Sequence, residues 1–74
     1  MPRRSALRII CEVAREFRVP ARDLMSRKRT QWISRVRHRA WASLHDEGYI
    51  VTEIADLFYR DHTTVLYGLR KARK

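Results

Sequence analysis

An all-α fold, a small bundle of helices, follows from three features of this 74-residue sequence. Apolar residues recur at helical spacing along most of the chain, and no stretch alternates as a half-buried strand would. Residues suited to starting a helix (Ser5, Pro20, Thr30, Thr52 and Asp61) precede the periodic runs. Breakers are scarce, with glycine only at 48 and 68 and proline only at 2 and 20. A chain of this length is expected to be one domain over residues 1–74, with a limited core. It contains no internal repeat, low-complexity tract or linker.

Met1 to Arg4 reads as a short basic arm, mobile at its tip, and Ser5 as the cap of a first helix running to about Phe17. Ala6, Ile9, Ile10, Val13, Ala14 and Phe17 form its inner face, with Arg8 and Glu12 one turn apart outside. Pro20 cannot continue that helix but can start another, so Ala21 to Met25 is a short helical turn with Leu24 and Met25 inward. Ser26 to Arg29 is a loop in which Arg27, Lys28 and Arg29 concentrate charge, either as a solvated run or as a binding element.

Thr30 then caps a long helix that Gly48 ends, striped by Ile33, Val36, Ala40, Trp41 and Leu44. Arg35, His38 and Arg39 lie off that stripe. No acid occurs between Arg27 and Arg39, so one side of this strut is positive. Arg37 falls close to the stripe and has two readings: it snorkels along packed surface to a phosphate, or it pairs with an acid such as Asp56 or Asp61. Trp32 is off the stripe and either offers a surface to a partner or packs on a neighbouring helix.

The fourth helix begins with Thr52 as cap, carries Glu53 in its first turn and buries Ile54, Leu57 and Phe58. A tight turn at Tyr59 and Arg60 leads to Asp61, whose carboxylate is placed to accept from the free N–H groups of a fifth helix. At about 100° per residue, Val65, Leu69 and Ala72 face inward, with Leu66 and Gly68 at the margins. Thr63, Thr64, Tyr67, Arg70 and Lys71 face outward, a surface of hydroxyls, methyls, one ring and cations that suits a nucleic-acid groove. Thr52 to Ala72 is therefore a helix-turn-helix.

Composition narrows the function classes. Seventeen Lys and Arg against eight Asp and Glu give a formal net charge of +9, which attracts a polyanion. Nucleic acid fits better than a membrane surface, because the apolar residues are spaced to close a core. Cys11 is the only cysteine, so no internal disulfide forms, and its apolar neighbours predict a buried thiol. Three histidines and scattered acids supply neither a nucleophile with its base nor paired metal ligands, so no enzyme, metal or cofactor is expected. No glycine-rich phosphate loop is present. The start of the chain does not read as a signal peptide, which places the protein in the cytosol or at the nucleoid.

The run Ile54-Ala-Asp-Leu-Phe58, followed by Arg60-Asp-His-Thr-Thr-Val-Leu66, closely resembles the C-terminal DNA-binding domain of the bacterial replication initiator DnaA. Phe17-Arg-Val-Pro-Ala-Arg-Asp-Leu24 and Ser26-Arg-Lys-Arg29 resemble that domain's opening helices and basic loop. The resemblance implies a Trp-repressor-like helical bundle that binds double-stranded, DnaA-box-like DNA as a monomer. It further implies that Asp61, His62, Thr63 and Thr64 face the major groove and that Arg29 enters the minor groove. Arg37 and Arg60 would contact the backbone. Tyr67 stands where the family often has a base-touching histidine, and Lys71 adds a phosphate contact. The initiators carry an ATPase module that this chain does not, so the implied role is a replication or transcription regulator, with the host initiator as competitor or partner.

Three departures bear on specificity. The family usually has two glycines between the phenylalanine and the Arg-Asp-His run, where this chain has Tyr59 alone. Tyr67 replaces the histidine, and the loop from Gly48 to Val51 is shorter. A protein-interaction module and a non-specific nucleic-acid binder are the alternatives, and for His62 the plainer reading is a helix-start histidine bonded to nearby backbone.

Overall fold

Trp41 is 1% exposed, and the helix that carries it is the one the other helices pack around. In the computed structural model, which describes residues 3–28 and 30–72, that helix is α3 (Gln31–Glu47). Against it lie α1 (Ala6–Glu16), α2 (Ala21–Met25), α4 (Val51–Phe58) and α5 (His62–Ala72). The described residues contain no strand. None of their helices is long and apolar enough to cross a membrane.

The predicted stripe of α3 is buried in full: Ile33, Val36, Ala40, Trp41 and Leu44 meet Ile9, Ile10, Val13 and Ala14 of α1 and Leu24 of α2. From the other side come Ile54, Ala55 and Phe58 of α4 with Val65 and Leu69 of α5. Each Val, Leu, Ile or Phe side chain among them contributes about 1.5–3 kcal/mol on full burial, so this shared seam is the main source of stability. The Trp41 ring meets Phe58 edge-on at 5.7 Å and lies 5.3 Å from His38. Gly68 makes the α3–α5 approach possible. A Cβ there would stand 2.5 Å from Trp41 Cε3 and 2.7 Å from His38 Cδ2, closer than packed carbons come.

Helix ends follow one chemistry with different residues. The N–H of Val19 donates to the Ala14 carbonyl at 2.9 Å, that of Tyr49 to Leu44 at 3.0 Å and that of Arg60 to Ala55 at 2.9 Å. These bonds close α1, α3 and α4 through a left-handed residue, respectively Arg18 (φ 56°), Gly48 (φ 111°) and Tyr59 (φ 54°). Only Gly48 adopts that conformation freely; a side chain there costs about 1–2 kcal/mol. Thr30 caps α3 as expected, its hydroxyl oxygen accepting from the Ile33 N–H at 3.4 Å. Ser5 holds the cap position of α1, but its side chain makes no capping bond.

Two expectations are corrected. Thr52 does not cap α4: the cap position lies two residues earlier, at Ile50, and Glu53 Oε1 accepts the Ile50 N–H at 3.0 Å. Glu53 reaches back in half of a capping box, so no hydroxyl is needed. Cys11 is exposed, because α1 turns Ile9, Ile10, Val13 and Ala14 inward and leaves Leu7 and Cys11 outside. Behind the tip of the basic arm, Arg3 and Arg4 are held by the fold. Arg3 donates to both Glu53 oxygens (2.8 and 3.2 Å) and to the Gly48 carbonyl, and its guanidinium lies 4.1 Å from the centre of the Tyr49 ring. Arg4 bridges Glu12 at 2.8 Å and Glu47 at 3.1 Å, while the Tyr49 hydroxyl donates to its carbonyl at 2.7 Å. Of the arm, Met1 and Pro2 lie outside the described residues.

Candidate nucleic-acid interface

Asp61 begins the candidate surface by organising the first turn of α5. Its Oδ1 accepts from the Thr63 N–H at 3.1 Å and the Thr63 hydroxyl at 2.7 Å, and its carbonyl accepts from the N–H groups of Thr64 and Val65. This is a capping arrangement built from residues two apart. His62 Nδ1 stands 3.3 Å from the same Oδ1. The Thr63 hydroxyl first, its N–H second and the neighbouring imidazole third hold the Asp61 carboxyl below its usual range, keeping it anionic.

His62, Thr63, Thr64, Tyr67 and Lys71 are all exposed, whereas Val65, Gly68 and Leu69 are buried. The amphipathic division of α5 is therefore the predicted one. Leu66 is also exposed, at 42%. The Lys71 ammonium sits 5.4 Å from the centre of the Tyr67 ring, one helical turn away, which ties the cation to the aromatic. Beneath them His38 is half-buried. Burial, then Arg37, then Lys71 depress its pKa, favouring the neutral imidazole.

Beside the start of α5 runs the loop that follows α2, and its carbonyls are gripped by two arginines. Arg37 is 5% exposed, the one charged residue in the core of the described chain. Its Nε donates to the Leu24 carbonyl at 2.8 Å, and its Nη2 donates to those of Ser26 (2.9 Å), Lys28 (3.0 Å) and Asp23 (3.3 Å). These partners are neutral, where an acid such as Asp56 or Asp61 was one expectation. Arg60 comes from the turn between α4 and α5 and donates through Nη2 to the same Ser26 carbonyl at 2.9 Å. Burial, and then the nearby Arg60 cation, lower the Arg37 pKa from a high ordinary value.

The loop is braced from within as well. The Ser26 hydroxyl donates to the Asp23 carbonyl at 2.7 Å and accepts from the Lys28 N–H at 3.2 Å, and Lys28 Nζ reaches Asp23 Oδ2 at 3.3 Å. Ser26 and Asp23 were not singled out in the sequence. A serine closing a short helix just before a basic run was the available signal. Arg29, the expected minor-groove residue, lies outside the described residues.

The arrangement brings together the exposed start of α5, the turn at Arg60 and the basic loop, and places Arg37 beneath the loop. Arg37 and Arg60 bond carbonyls rather than carboxylates, so their two guanidinium charges are left uncancelled at this end. Fixed hydroxyls, an imidazole and a positive loop on one side are the equipment of duplex recognition.

No solved structure matches the chain. The family model for the bacterial DnaA protein helix-turn-helix matches residues 7–72, which takes in all five helices apart from the first residue of α1. That family binds double-stranded DNA. With its own helix-turn-helix built at α4 and α5, the chain belongs to the bacterial DnaA helix-turn-helix family.

Proposed function

We propose that this protein recognises duplex DNA at DnaA-box-like sequences, as a replication or transcription regulator. The observation that carries this reading is the exposed His62-Thr63-Thr64 turn, held by the Asp61 cap beside a loop whose carbonyls Arg37 and Arg60 grip. In this reading the start of α5 enters the major groove. Thr methyls meet thymine methyls, Thr64 and His62 reach base edges or phosphate, and Asp61 accepts from a cytosine amino group. Tyr67 contacts a thymine methyl or phosphate, and Arg60 and Lys71 meet the backbone. Arg29 reads a narrow A/T-rich minor groove, where negative potential is concentrated. Arg37 acts from beneath, by holding the loop that carries Arg29, in place of a phosphate contact of its own. One domain binding as a monomer suffices, and occupation of such sites sets it in competition with an initiator.

The test is a titration of a box duplex and a scrambled duplex of equal length at one physiological salt concentration. The box is expected to win by about 4 kcal/mol or more, roughly a thousandfold. Equal affinities would show that the +9 charge alone drives binding and would refute sequence recognition.

A further inference from the structure

An open groove of about 760 Å³ runs between the first half of α3 and the second half of α5, and it shares Tyr67 and Lys71 with the proposed duplex face while leaving out the His62-Thr64 turn. Its wall includes Phe17, Trp32, Arg35, Arg39, Tyr67 and Lys71, and among the described residues no acid lines it. Trp32, Arg35 and Arg39 stand three and four residues apart and so share one strip of α3. Trp32 is 51% exposed although the Phe17 ring buttresses it edge-on at 5.9 Å. The indole is thus held in place while half of its surface stays in water. Across the groove Tyr67 is 59% exposed with the Lys71 ammonium over its ring. Gln31 and Ser34 add an amide and a hydroxyl.

Cations with exposed aromatic faces and no acids call for an anion that carries flat rings. Duplex DNA hides its base faces inside the stack and offers such a groove only phosphate. An acidic peptide satisfies the cations but leaves the indole without a stacking partner. A single strand uses both, because every base has a π-face and every linkage a charge. We propose that this groove is a second nucleic-acid site, for a single strand, with an unpaired base stacked on Trp32 and adjacent phosphates on Arg35, Arg39 and Lys71.

The chain carries its own reporter, since Trp41 is buried and Trp32 is not. Decathymidylate is expected to quench the emission of Trp32 to saturation. Trp32→Ala should weaken that binding by about tenfold or more while leaving affinity for the box duplex unchanged. Joint replacement Arg35→Gln and Arg39→Gln should reduce the single-strand salt slope by about 1.4. Thr64→Ala, which bears on the duplex reading alone, should leave decathymidylate affinity as it is. If a glutamate decapeptide binds as tightly as decathymidylate, or if Trp32→Ala keeps wild-type affinity for it, the proposal is overturned. Should Trp32→Ala lose its helical spectrum, the arginine pair decides: undiminished decathymidylate binding in that variant also overturns it.

Discussion

Arginines at opposite ends of α3 and α4 are satisfied in opposite ways. At the end where α3 stops and α4 starts, Arg3 and Arg4 pair with the carboxylates of Glu53, Glu12 and Glu47. At the other end Arg37 and Arg60 donate to the carbonyls of Leu24, Ser26, Lys28 and Asp23. Both solutions use up hydrogen-bond donors, but only the first cancels charge. A guanidinium bonded to a neutral carbonyl still contributes its full positive charge to the field outside. The segregation of basic character toward the loop and α5 thus comes less from where the arginines stand in the chain than from what they bond.

The comparison breaks most sharply at Arg37. Arg37→Met removes one fork from four carbonyls, and the expected loss is about 3 kcal/mol of unfolding free energy in a urea titration, because buried acceptors lose their donor. Arg60→Met removes a single charged donor and is expected to cost about 1.5 kcal/mol. It should also weaken DNA binding with little change in which duplex is preferred. Equal stability losses in the two variants would mean that the carbonyl grip is not centred on Arg37.

A smaller effect contrasts two of the helix closures. Gly48 suits its left-handed conformation, whereas Tyr59 is held in one that side chains disfavour while its ring is 82% exposed. Tyr59→Gly should therefore raise the unfolding free energy by about 1 kcal/mol, since strain relief outweighs the flexibility added to the unfolded chain. A drop in stability would show that the Tyr59 ring contributes packing worth more than the strain.

The last test is acidification, which acts on the Glu47 and Glu53 pairs at one end and on Asp61 and His38 at the other. Arg4 holds the Glu47 carboxyl below its ordinary 4.5, and Arg3, then the Ile50 N–H, hold Glu53 below it. A folded pKa lowered in this way contributes stability that is complete above the ordinary value and lost as pH falls through the folded one. The midpoint of thermal unfolding should fall below about pH 4.5, modestly for such exposed pairs, and less in 1 M salt. His38, lowered from 6.5, begins to cost stability at higher pH. The double variant Glu47→Gln and Glu53→Gln isolates the carboxylate part, and an unchanged acid limb in it would remove these pairs from the account.

The five helices and the inner faces of α3 and α5 were legible because they are written in neighbours. A stripe at Ile33, Val36, Ala40, Trp41 and Leu44 needs only 3.6-residue periodicity, and Asp61 two residues before Thr63 needs only a cap. The exposed face of α5 was readable for the same reason. Gly68 was read merely as marginal, since the Trp41 ring it must admit lies 27 positions earlier in the chain. Cys11 was misplaced because apolar neighbours in sequence do not say which side of α1 meets α3.

Short-range order, then, was decided by residue order: which segments are helical, which face of each is apolar, and which turn carries exposed hydroxyls and an imidazole. The fate of the arginines was decided by the packed fold. Nothing local distinguishes Arg3, tied to Glu53 fifty residues away, from Arg37, tied to carbonyls nine to fourteen residues back. A guanidinium is long, always charged and equally able to bond carboxylate or carbonyl, so its partner is whichever acceptor the folded chain leaves unsatisfied within its reach.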